Sequence, residues 1–466
     1  MLRSVKESVH RMVGVMILAV RASLRTKTVA SLLALLAACV GVLPRVVKGD
    51  GTPAGELTIL LTYTLGFVFG ILCLATLWAS CALFAAEIDS ERMSLSAVKP
   101  VRAVEFWVGK WLALLALQAA VLLVVYAGVY AQVVWRMHRS GWEDADRPVS
   151  RRVTQPVLPT PREEARQTFE LMRQNDRVPK GMSERAVLRT LEAKAQEKYD
   201  VINPGEQVRW AFRLTRPIQA GEPVTVRVTF DTEYSTRGHV KGVCRLSCRE
   251  RPGKTVDVWL DDFTQNVLEF VVDTRAFAPA GVDRVSARDG AGGDRLREFE
   301  LTFAHIGDPQ QSSALMVRFR QDVVLLTPGG TFEANLVRAA CVHWGVLALL
   351  AAFGLMLSAC FSLPVAVFVA TVLLVLTMVG NAVVEVVSDE DATLWQNRVG
   401  IWVSRGVHGV SSHALQAEPL TALTHGERIE VGLLGASLAW NVVLLPMLFA
   451  GAGCVVLRRR ELADAK

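Results

Sequence analysis

Leu57–Ala86 reads LTILLTYTLGFVFGILCLATLWASCALFAA, thirty residues without an Asp, Glu, Lys or Arg. At 1.5 Å per residue it makes a helix about 45 Å long, more than the roughly 30 Å hydrocarbon core of a bilayer requires. Backbone in lipid must satisfy its own hydrogen bonds, so this run reads as a tilted or projecting membrane helix. The rest of the chain is consistent with that. Of 466 residues, 51% are hydrophobic, and the mean hydropathy is +0.32. The apolar residues concentrate before residue 136 and after residue 336, and the middle is polar. That distribution predicts a helical, polytopic membrane protein carrying one soluble domain.

Six spans are expected: Thr28 to Leu43, closed by Pro44 and Arg45; Leu57 to Ala86; Trp111 to Trp135; Ala339 to Leu363; Val365 to Val386; and Val431 to Leu457. Residues 1–27 are basic around an apolar patch, Met12 to Val20, and lack a clear small-residue cleavage site. They read as an interfacial helix rather than a signal peptide. Lys and Arg set the orientation. Residues 1–27 carry six, 87–110 four and the tail after Val456 four, against two in 45–56 and three in 387–430. The excess puts both termini and segment 87–110 in the cytoplasm, and 137–335 and 387–430 outside. The domain plan is thus 1–136, an extracytoplasmic insert at 137–335, and 336–466 with its basic tail. The location is the plasma membrane, in a bacterium the inner membrane.

The insert opens with a proline-rich linker, RPVSRRVTQPVLPTP, followed by two helical stretches, PREEARQTFELMRQN and SERAVLRTLEAKAQEKYD. The period then changes to two. Val208, Trp210, Phe212 and Leu214 alternate with polar residues, as do Val224, Val226, Val228 and Phe230, then Val256, Val258 and Leu260, and then Phe299, Leu301 and Phe303. About seven half-buried strands between Gly, Pro and Asp turns predict a mostly-β sandwich. Trp210 and Trp259 are expected in its core. Cys244 and Cys248 share one strand face about 13 Å apart, too far for a disulfide unless the chain turns between them.

The net charge of +6 comes from Lys and Arg beside apolar runs, without a basic stripe interleaved with aromatics, so nucleic acid is not an expected partner. Val108–Trp111, VGKW, lacks the glycines and hydroxyl of a phosphate loop. No cysteine or histidine spacing suits zinc. His343 is the only histidine within an expected span, and no nucleophile–base pair accompanies it, which argues against an intramembrane enzyme. Gln118, Asn381, Glu385 and Asn441 are polar groups in spans. The amides either bond between helices or line a path, and Glu385 suits an interface.

Between spans two and three lies Glu87–Trp111, EIDSERMSLSAVKPVRAVEFWVGKW. Met93, Leu95 and Val98 have roughly helical spacing, Pro100 ends that piece, and Val101 to Val108 leads through Gly109-Lys110 into the next span. This is a charged cytoplasmic elbow held at both ends by membrane helices. It resembles the coupling region of ABC transporter permeases of the type-2 exporter class. Glu91, Ser94, Leu95, Pro100, Val101, Gly109 and Lys110 fall in step with that pattern. Met93 stands where the family usually has Gly, Ser94 where it has Thr, and Arg102-Ala103 where it has Ser-Arg. The order of interfacial helix, two spans, elbow and four spans is also similar. The resemblance implies a permease subunit with no catalytic residue, metal or cofactor of its own. ATP and Mg would be bound by a separate cytoplasmic ATPase, and a second permease subunit, identical or not, would complete the path through the lipid. Glu87, Glu91, Arg92, Ser94, Leu95 and Pro100 would meet the ATPase, and Gln118, Asn381 and Asn441 are candidate path-lining groups. The sandwich would recognise a substrate or an extracytoplasmic partner. The alternative is a membrane-anchored extracytoplasmic binding or signalling protein without transport, which has no need of the elbow.

Overall fold

The computed structural model describes residues 2–25, 27–46, 53–89, 102–140, 148–157, 161–174, 184–219, 221–232, 238–251, 253–277, 295–306, 314–318, 322–386 and 418–464. The chain divides into two compact units, Met1–Ser150 with Thr331–Lys466, and Arg151–Gly330.

The first unit opens with α1 (Leu2–Arg25) and α2 (Lys27–Val46). Their straight parts, Lys6–Arg25 and Val29–Pro44, meet at 67°. Pro44 was expected to close the span, yet α2 runs through it to Val46. A proline inside a helix strips the carbonyl four residues earlier of its donor. That carbonyl belongs to Val40, and the side-chain amide of Gln132 donates to it instead. Arg136 Nη2 donates to Pro44 O at 2.8 Å, and its Nη1 reaches Glu56 at 3.3 Å. Helix α3 (Pro53–Ile59), a π-helical turn at Leu60–Leu65 and α4 (Gly66–Asp89) then form one apolar run. Next comes α5 (Ala103–Ser140).

The second unit contains β1 (Ser150–Thr154), α6 (Pro161–Gln174), α7 (Glu184–Asp200) and ten further strands. These are β2 (Val201–Ile202), β3 (Gln207–Gln219), β4 (Pro223–Thr229), β5 (Asp231–Thr232), β6 (His239–Cys248), β7 (Thr255–Phe263), β8 (Val267–Asp273), β9 (Arg295–His305), β10 (Leu315–Met316) and β11 (Val323–Gly330). One sheet has the order β1-β11-β4-β8, another β3-β9-β6-β7, and a small third one β2-β10-β5. Inward residues of both four-stranded sheets share one core, including Trp210, Phe212, Val226, Leu246, Phe303 and Leu325. Cys244 and Cys248 face it as free thiols, and burial pushes both up to about 12.

Trp259 corrects an expectation: it is 75% exposed. Val256, Val258 and Leu260 take the inward positions of β7, so strand parity sends Trp259 outward.

The chain returns to the first unit with α8 (Phe332–Cys360), α9 (Leu363–Val386) and α10 (Pro419–Thr424). It ends with α11 (Val431–Leu438), a second π-helical turn at Ala439–Leu444 and α12 (Leu445–Asp464). Thr331 caps α8, its hydroxyl accepting from Ala334 N at 3.4 Å. Asn335 Nδ2 donates to Glu427 O at 2.7 Å and its Oδ1 accepts from Ile429 N at 2.9 Å, which fastens the segment between α10 and α11 to α8.

Among the described residues four helical segments are long and apolar enough to cross a membrane: Gly55–Leu83, Ala103–Arg139, Phe332–Cys360 and Val431–Leu457. Counting the bent pair of α1 and α2 as one makes five. Of the other two expected spans, Thr28 to Leu43 is sixteen residues and forms the bent pair with α1, and Val365 to Val386 lies in the 24-residue α9, whose described side chains make the apolar helix Leu363–Thr377. Most of the expected loop 387–430 and the elbow residues 90–101 lie outside the described residues.

Candidate functional site

The expected elbow falls between α4 and α5, and the side chains at the start of α5, its foot, are bound to three other elements. Lys110 is 2% exposed. Its Nζ donates to Leu83 O of α4 at 2.9 Å and lies 4.5 Å from the centre of the Phe106 ring. An ammonium so placed has exchanged water for a carbonyl and a π face. It staples the two ends of the elbow together.

Glu105 sits at the third position of α5 and is 3% exposed. It accepts from Ser8 Oγ at 2.6 Å and from Arg11 Nε and Nη2, both at 3.0 Å. It also reaches back to the Arg102 backbone N–H at 3.2 Å, the return half of a capping box. One carboxylate thus starts α5 and binds α1 by a forked, charge-assisted pair. At Gly109 α1 packs tightly against α5. A Cβ there would lie 2.8 Å from Val15 Cβ and Cγ1 and 2.9 Å from Met12 O. Trp111 Nε1 donates to Ala348 O at 3.0 Å. Trp107, 1% exposed, packs in a cluster with Leu114, Leu355, Cys454 and Leu457. The foot of the elbow is therefore a junction of α1, α4, α5, α8 and α12.

Of the residues expected to meet an ATPase, Glu91, Arg92, Ser94, Leu95 and Pro100 lie outside the described residues. Glu87 is in the last turn of α4, and its side chain lies outside them too. Sequence reasoning passed over Ser8, Arg11 and Glu105. The signal for Glu105 is its position three residues after Arg102, just past the proline that ends the preceding piece.

The candidate path residues hang on separate partners. Gln118 is 7% exposed, and its Nε2 lies 3.3 Å from Thr76 Oγ1 and 3.5 Å from Leu347 O. Its Oε1 has no partner among the described residues. Asn441, fully buried on the second π-helical turn, donates to Ser437 Oγ at 3.3 Å. Asn381 belongs to α9, with its side chain outside the described residues, as is that of Glu385. His343 stacks on Phe69 at 3.8 Å and shares a 2.8 Å hydrogen bond with Tyr126, a packed and partnered histidine.

On the second unit, Arg213 and Arg249 converge on Glu298 at 2.7 and 3.1 Å beside a cavity of about 490 Å3. Hydrogen bonds from the two guanidinium groups hold the Glu298 carboxyl below the usual range. Among the described residues no three His, Cys, Asp or Glu side chains converge to hold a metal.

No family model, curated protein or solved structure matches the chain.

Proposed function

We propose that this protein is the transmembrane permease subunit of an ATP-driven transporter of the type-2 exporter class. A separate cytoplasmic ATPase, which binds ATP and Mg, docks on the elbow, and a second permease subunit completes the path. The observation that carries the proposal is the elbow's foot. Lys110 closes it on Leu83 O, Glu105 fixes it to α1, and Trp111 ties it to α8. Force applied to the elbow reaches α1, α4 and α8 together, which is what a two-state element biased by nucleotide requires. In this reading the chain crosses the membrane six times with cytoplasmic termini. Gln118, Asn381 and Asn441 border the path. The β unit stands outside as a sandwich that receives a substrate or envelope partner, with Trp259 among its contact residues.

The test is purification of the tagged protein from its own membranes in mild detergent, with ATP hydrolysis measured on what accompanies it. A stoichiometric soluble ATPase is expected, and Glu91→Lys should abolish substrate-stimulated hydrolysis while leaving the membrane unit folded. Undiminished stimulation in Glu91→Lys removes the role given to that residue. Co-purification of envelope proteins alone, across detergents, favours the anchored binding or signalling protein, a reading that the separate β unit also suits.

A further inference from the structure

Between α5 and α8 runs a groove of about 510 Å3, within the roughly 300–1,000 Å3 range of small-molecule sites. Buried Leu122 and Tyr126 of α5 and Leu336 of α8 line it, with the small Ala119, Ala127 and Ala340 among them. Leu123 and Val337 rise beside it, 72% and 63% exposed. Trp344 closes the inner end, its Nε1 donating to Leu115 O at 3.1 Å. Of the lining residues only Glu333 is charged, and it stands at the other end, in the first turn of α8.

Length narrows the occupant. The lining runs from Glu333 to Trp344 on α8 and from Ala119 to Tyr130 on α5. Eleven residues of helix rise about 16 Å, close to half of the roughly 30 Å hydrocarbon core, which is the depth of one leaflet. The groove is thus about one leaflet deep and carries a single carboxylate, Glu333, at its rim. We infer that the groove holds one acyl chain of a membrane phospholipid whose head carries a primary ammonium, with that ammonium on the Glu333 carboxylate. The chain lies along the groove and stops at Trp344. The site depends on α5 and α8 lying in a bilayer and not on any ATPase, so it stands or falls separately from the transport proposal.

The full-length protein in nanodiscs of equimolar phosphatidylethanolamine and phosphatidylglycerol, released and weighed by native mass spectrometry, tests it. The wild type should retain phosphatidylethanolamine at one per chain in preference to phosphatidylglycerol. Ala127→Leu and Ala340→Leu, which add bulk to the lining, should each lose it. Glu333→Gln alters no packing, so it reads the head-group contact even if the filled variants misfold. It should keep a lipid while its preference for phosphatidylethanolamine falls about two- to fivefold, the ratio for loss of one exposed ion pair. Equal retention in wild type and filled variants, or no preference in the wild type, overturns the proposal. So does a lipid-free dimer that Ala127→Leu converts to monomer, which would assign the groove to a second copy.

Discussion

Replacing Gly109 by alanine adds one methyl group where α1 leaves no room for it. The new Cβ would lie 2.8 Å from Val15 Cβ and Cγ1 and 2.9 Å from Met12 O. Unstrained carbon contacts sit at about 3.5–4.0 Å, so α1 must withdraw by about 1 Å. Overpacking of this kind costs about 1–3 kcal/mol. Alanine's better helix propensity returns about 1 kcal/mol to α5. The net loss is about 1 kcal/mol, or roughly a fivefold rise in the opening equilibrium of α1 at the elbow's foot. Propensity alone predicts the opposite sign. Hydrogen exchange of the full-length protein, read on peptides covering Ser8 to Val20, should therefore quicken about fivefold in Gly109→Ala. Because Val15 supplies two of the three close atoms, adding Val15→Ala should recover part of the protection. Exchange that is unchanged or slower in Gly109→Ala would refute the claim that this glycine exists to admit α1.

Glu105→Gln keeps the size of the side chain but removes the charge that Arg11 meets, with Glu105 4% and Arg11 33% exposed at the side chain. Charge-assisted hydrogen bonds contribute about 1.5–3 kcal/mol, so the same peptides should exchange about tenfold faster, and less than additively with Gly109→Ala because both act on α1. Gln118→Leu removes a buried oxygen that has no partner among the described residues and two long hydrogen bonds. Thermal stability should hold or rise by up to about 1 kcal/mol, so a transport defect in this variant would point to the path rather than to folding. His305 is buried, and burial holds its pKa below the ordinary 6.5. Its neutral form is favoured in the folded state, so its contribution to stability is complete above about pH 6.5 and is lost as the pH falls towards the lower folded value. Thermal unfolding between pH 7.5 and 5 should show that slope, and His305→Phe should flatten it.

Legibility in the sequence followed the range of the interactions concerned. The thirty uncharged residues from Leu57 announce a membrane helix by composition alone, and the alternation through Val224, Val226 and Val228 announces a strand, although Thr225 and Arg227 on its other face are buried as well. Strand parity also contained the answer for Trp259: Val258 and Leu260 flank it and point inward, so the indole could not. Pro44 was not readable in this way, because the donor that rescues Val40 O is Gln132, ninety-two residues away. The break between α4 and α5 is legible from the charges between two apolar runs. Its anchoring is not, because Ser8 and Arg11 meet Glu105 across more than ninety residues and only the fold brings them together. Nor do the π-helical turns at Leu60–Leu65 and Ala439–Leu444 carry a signal in hydrophobic period.

Contact between the elbow and a motor is the central claim, and photo-crosslinking from Leu95 in native membranes tests it most directly. A photoreactive side chain placed there should capture one soluble, ATP-hydrolysing subunit, with a yield that changes when ATP is added. Adducts confined to lipid or to integral membrane proteins, with and without ATP, would contradict the account.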